Sequence, residues 1–125
     1  MKIAVVSDIH GNLLALEAVL EAIARAGADL TVNLGDILSG PLWPRETAER
    51  LRALGLPAIR GNHERQLLMC ARARMGASDA YAFDHIDTAD RAWLDSLPET
   101  LQLTDETCTA VTARRTATCS TFSRR

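Results

Sequence analysis

The sequence predicts an α/β fold: a mostly parallel sheet with flanking helices. Three observations carry that reading. Short apolar, β-branched runs have the length of strands, the stretches between them repeat apolar residues at three and four positions, and a Gly-containing polar motif follows each run. With 125 residues, one domain is expected. A content of 47% apolar and 24% charged residues excludes a wholly disordered chain.

Residues 2–8 form the first run, short and apolar enough for a strand buried on both faces. Leu13, Leu16, Leu20 and Ile23 then mark one face of a helix over 13–26, with Glu17, Glu21 and Arg25 on another. Asn12 is its expected N-cap and Gly27 the residue past its end. Residues 29–34 read as the second strand, closed by Gly35-Asp36. Gly40, Pro41 and Pro44 make 38–45 a loop, before a helix over 46–54 stopped by Gly55. Pro57–Arg60 reads as a short third strand, ended by Gly61-Asn62-His63-Glu64. Two further helices are expected, from about Glu64 to Arg74 and over Asp87–Leu97, and Thr100–Leu103 as a fourth strand. From 104 the pattern fails: seven threonines and four arginines stand among only two large apolar residues, Val111 and Phe122. The expected organisation is therefore a folded unit over 1–103 and an irregular segment over 104–125.

Composition narrows the function classes. A net charge of −2 argues against a nucleic-acid protein held by bulk electrostatics. No apolar run approaches the ~18 residues of a membrane span, and the first residues have no cleavable leader. Three cysteines without C-x-x-C spacing suit neither a disulfide scaffold nor a structural zinc site, so a reducing, cytoplasmic setting is expected.

Three motifs sit directly after the first three expected strands: Asp8-Ile9-His10-Gly11-Asn12, Gly35-Asp36 and Gly61-Asn62-His63-Glu64. In open α/β sheets, ligands collect at the carboxyl ends of strands, so the three motifs should meet at one edge. Carboxylate, imidazole and amide oxygen are the donors of a divalent-cation site. Asp8 and His10, two apart, should project to one side of extended backbone. Asp8 or Asn12 can equally serve merely as a helix cap. A receiver-type regulatory domain fits poorly, since strand one ends in Asp-x-His rather than paired acids. A dinucleotide fold lacks its G-x-G-x-x-G.

The series D-x-H-G-N, G-D, G-N-H-E resembles the calcineurin-like metallophosphoesterases. The Gly35–Pro41 loop and the Trp93–Thr100 stretch are similar to the small bacterial branch of that superfamily, and the resemblance spans about residues 1–103. It implies part of an αββα sandwich and hydrolysis of phosphomonoesters or phosphodiesters with two divalent ions (Mn, Fe, Zn, Ni or Mg). By the same resemblance, Asp8 and His10 bind the first ion, Asp36 bridges and Asn62 binds the second. His63 acts near the phosphate as acid or electrostatic partner, with Asn12 beside it against substrate. The family's later His-Gly and Gly-His-x-His motifs have no counterpart here, and His85 is expected at the surface. Read one codon phase later, Val111–Arg115 can spell His-Gly-Thr-Pro, which predicts a frameshift near 104–107. A catalytically inactive fragment binding one ion weakly is the competing expectation, with an uncovered sheet face favouring self-association.

Overall fold

The computed structural model describes residues 1–103 and 109–111. The fold is α/β, with a parallel sheet flanked by helices. Strand β1 (Ile3–Val6) pairs in parallel with β2 (Leu30–Asn33), Ile3 opposite Leu30 and Val6 opposite Asn33. Helix α1 (Leu13–Ala26) crosses between them. Asn12 caps it by accepting the Ala15 N–H at 3.1 Å, and Gly27 ends it in the left-handed region at φ +63°. The two expected terminators therefore act as such.

The expected third strand shrinks to one parallel bridge, Asn33 to Ala58. Pro57 supplies a carbonyl to Asn33 N–H and Ile59 N–H bonds back to Asn33, so the segment still aligns beside β2. With prolines at 57 and 98 and Gly61 close behind, little chain is left to extend a ladder.

Helix α2 (Pro44–Leu54) begins on a proline whose missing N–H costs nothing at a first turn, two residues earlier than expected. The helix expected over 64–74 is α3 (Asn62–Met69), followed by extended backbone at Cys70 and one 3-10 turn, Arg72–Arg74. Cys70 is disulfide-bonded, a pairing the cysteine count did not announce. A helix not anticipated, α4 (Ala77–His85), follows Gly76, and α5 (Thr88–Ser96) takes Asp87 as its cap.

The fourth strand, β3 (Thr100–Gln102), does not join the parallel sheet. It pairs antiparallel with β4 (Thr109–Val111), a strand inside the segment expected to be irregular. The rest of 104–125, including the frameshift placed near 104–107, lies outside the described residues.

The core gathers Leu16, Ile37, Leu38, Leu51, Leu67, Ile86 and Leu94 between the helices and the loop after β2. Each such side chain contributes about 1.5–3 kcal/mol by leaving water. β1 is buried on one face only: Val6 is 7% exposed but Val5 57%. Val5 and Val19 line an open groove of about 310 Å³ between β1 and α1, with Asp8 at one end. Among the described residues, β1 is thus covered on one side and open on the other.

Candidate metal centre

Beyond β1 and β2 the two strand-end loops run side by side. Asp8 N–H donates to Gly35 C=O at 3.1 Å, His10 N–H to Asp36 C=O at 3.1 Å, and Gly11 N–H to Ile37 C=O at 2.8 Å. This zip lays His10 over Asp36. It requires left-handed backbone at three residues that are not glycine: Asp8 (φ +56°), His10 (φ +49°) and Asp36 (φ +55°). Such conformations cost about 1–3 kcal/mol each and gather where function over-rides comfort.

The third motif docks against the second. Gly35, at φ +96°, has no room for a side chain, since a Cβ would stand 2.5 Å from Gly61 N and 2.7 Å from Gly61 Cα. Glu64, fully buried at the first turn of α3, ties the loops together. Its carboxylate accepts N–H bonds from Gly61 (2.8 Å), Asp36 (2.8 Å) and Ile37 (2.7 Å). Burial pushes this carboxyl above its ordinary range while the backbone donors pull the other way. Asp36 in turn accepts His63 N–H on Oδ1 at 3.0 Å, placing its charge against the positive end of α3.

His10, Asp36 and His63 form the one cluster of potential metal-binding His, Cys, Asp and Glu side chains among the described residues, their offered atoms within 4.8 Å of one another. The two imidazole rings meet edge to face, centroids 5.1 Å apart. His10 Nδ1 donates to the Ser39 carbonyl at 2.6 Å, which leaves Nε2 as the lone-pair nitrogen. His63 Nδ1 bonds Asp79 Oδ1 at 3.0 Å, and Ser39 Oγ donates to the same oxygen. The Asp79 bond is the main cause raising the His63 pKa above its ordinary value, against partial burial. For Asp79, burial pushes upward, but the bonds from His63 and Ser39 outweigh it and hold the carboxyl below its ordinary range.

Of the residues expected from the sequence, His10, Asp36 and His63 come together. Asp8 stays on the exposed rim, its Oδ1 3.8 Å from His10 Nε2, and is not part of the three-residue cluster. Asn62 opens α3 beside His63, half-buried. Asn12 has its carbonyl oxygen committed to the α1 cap. His85 is on the surface, stacked on Tyr81. Ser39, Glu64 and Asp79 escaped sequence reading. Glu64 had a signal, three residues after a helix-starting glycine as in a capping box; Asp79 had none.

Two imidazoles beside a carboxylate are donors that a divalent cation accepts. The donor set therefore fits the class of ion that the sequence implied.

The sequence model of the calcineurin-like phosphoesterase family matches residues 1–109, and the chain belongs to that family. It is 44% identical over 72 residues to the phosphodiesterase YfcE of Escherichia coli K12, covering 50% of this chain and 39% of that one. An uncharacterized protein of Methanocaldococcus jannaschii is 45% identical over 62 residues, covering 50% of this chain and 26% of the relative. Among solved structures, the metallophosphoesterase from Sphaerobacter thermophilus superposes with a TM-score of 0.64 at 35% identity, over 82% of this chain and 43% of that one. The chain thus spans less than half the length of these relatives. No helix among the described residues is long and apolar enough to cross a membrane.

Proposed function

We propose that the chain carries the strand-end metal site of a phosphoesterase that hydrolyses phosphomonoesters or phosphodiesters with a metal-activated water. The observation that carries this reading is the convergence of His10, Asp36 and His63, from the loops after β1 and β2 and the first turn of α3, within 4.8 Å. The relative named as a phosphodiesterase favours diesters as the first substrates to try.

His10 through Nε2, Asp36 through its carboxylate, and Asp8 and Asn62 from the margins would hold the cation, and His63 would face the substrate. When bound there, a divalent ion supplies Lewis acidity toward a phosphate oxygen and acidifies a water. His63, held by Asp79 and favouring its protonated form, is suited to donate a proton to a departing alkoxide. Asp36 both offers its charge to the cation and anchors the first turn of α3. The left-handed turns at Asp8, His10 and Asp36 set these donors before any ligand arrives.

The test is turnover of bis(p-nitrophenyl) phosphate by the purified chain with manganese. Wild type should release nitrophenol and Asp36→Asn should fall to background; equal rates in the two would end the reading.

A second reading has its own support: a single three-residue donor cluster among the described residues, in a chain covering 39% of a curated relative. On that reading the chain binds one ion without turnover, and calorimetric titration would give one site in a protein inert toward the ester. The exposed Val5 of β1 and Leu14 and Val19 of α1 would then drive self-association, seen as mass above the monomer in light scattering.

A further inference from the structure

We propose that Ser39 and Asp79 together act as positioning residues that fix the tautomer and aim of both imidazoles at the candidate metal centre. Ser39 is the junction. Its backbone carbonyl accepts from His10 Nδ1 at 2.6 Å, while its hydroxyl donates to Asp79 Oδ1. That same Asp79 oxygen accepts from His63 Nδ1 at 3.0 Å. One residue is therefore tied to both rings, to one directly and to the other through a carboxylate.

The geometry makes the arrangement selective. A backbone carbonyl only accepts, so His10 must carry its proton on Nδ1. The Asp79 oxygen that already accepts from Ser39 Oγ is an acceptor toward His63 too, so His63 in its neutral form carries its proton on Nδ1 as well. Both rings then present Nε2, and both are turned so that they meet edge to face at 5.1 Å. Ser39 is 1% and Asp79 6% exposed, so water competes little for either bond. Ser39 is held in place by its own loop. Gly40 follows it with no space for a side chain, because a Cβ there would run into the His10 carbonyl. Asp79 stands in the first turn of α4, where the helix N-terminus favours its negative charge. Neither residue belongs to the donor cluster itself, so each acts through a histidine.

The proposal takes the purpose of the two imidazoles from the phosphoesterase reading, but its geometry can be tested without turnover. The experiment is a long-range proton–nitrogen correlation spectrum of metal-free protein carrying nitrogen-15 histidine, recorded in mildly alkaline solution. In wild type, both His10 and His63 should show a protonated Nδ1 and a lone pair at Nε2. Asp79→Ala should move His63 toward the Nε2–H form and leave His10 unchanged. Ser39→Ala, which keeps the carbonyl, should spare His10 and shift His63 by less. Asp79→Asn retains an acceptor oxygen and should restore the Nδ1 proton on His63.

A His63 signature unmoved in Asp79→Ala overturns the proposal. So does a joint change of both histidines in Asp79→Ala that Asp79→Asn fails to reverse, since that is loss of structure. Absence of turnover in wild type would sink the phosphoesterase reading and leave the spectra standing; an unmoved His63 would do the reverse.

Discussion

Removing the Glu64 side chain as Glu64→Ala would orphan three backbone N–H groups at once, those of Gly61, Asp36 and Ile37. Each buried, unsatisfied donor costs about 1–3 kcal/mol. Losing the carboxylate also relieves the desolvation that pushes its pKa upward, and the three donors share one acceptor group, so the costs do not simply add. We expect a net loss of about 3–5 kcal/mol, large against the ~5–15 kcal/mol of a typical domain. Glu64→Gln keeps one oxygen. It can serve the two donors now on Oε2, but its NH2 then faces Ile37 N–H, so about half the loss should remain. Urea unfolding at neutral pH with a chelator present reads both variants, as a shifted midpoint at unchanged slope. Because the same bonds hold the Asp36 backbone, cation affinity should drop about tenfold or more in Glu64→Gln. An alanine variant within about 0.5 kcal/mol of wild type would refute the claim that Glu64 ties the loops together.

Gly35→Ala and Gly27→Ala both place alanine at positive φ, but only at Gly35 would the new Cβ meet backbone, 2.5 Å from Gly61 N. Thermal melts should show about 1 kcal/mol lost at Gly27 and several times that at Gly35, with cation binding lost only in the latter. Leu94→Ala, at a fully buried position on α5, should cost about 2–5 kcal/mol in the same urea assay. Asp87 is held below its ordinary value near 3.8, first by the N–H of Asp90. A depressed folded pKa gives stability that is present above the ordinary value and lost as pH falls through the folded one. Melts over a falling pH series should therefore show wild type and Asp87→Ala converging in acid, and a constant gap would contradict the cap.

Where local chemistry decided structure, the sequence was readable. Asn12 and Gly27 bracket α1 because a side-chain acceptor and a left-handed glycine are local devices. Helix α4 was not readable: its buried residues are Ala80, Ala82 and Asp79, too small or too polar to draw an apolar stripe. The pairing of β3 with β4 depends on a partner strand later in the chain, which no propensity within Thr100–Gln102 encodes. The same division runs through the site. His10, Asp36 and His63 follow from motifs at strand ends, since topology carries strand ends to one edge. Asp79 reaches His63 from 16 residues downstream through a helix the sequence did not announce. Asp8 sits on the rim because its own left-handed turn, not the two-residue alternation of a strand, sets its direction.

The left-handed backbone at Asp8, His10 and Asp36 sets the chain's endurance against its chemistry. Glycine at any of these positions would relax the turn, so random variation screened for heat tolerance alone would drift toward glycine and erase the donors one by one. Aspartate and histidine in such turns give up backbone comfort for donor groups held in fixed directions.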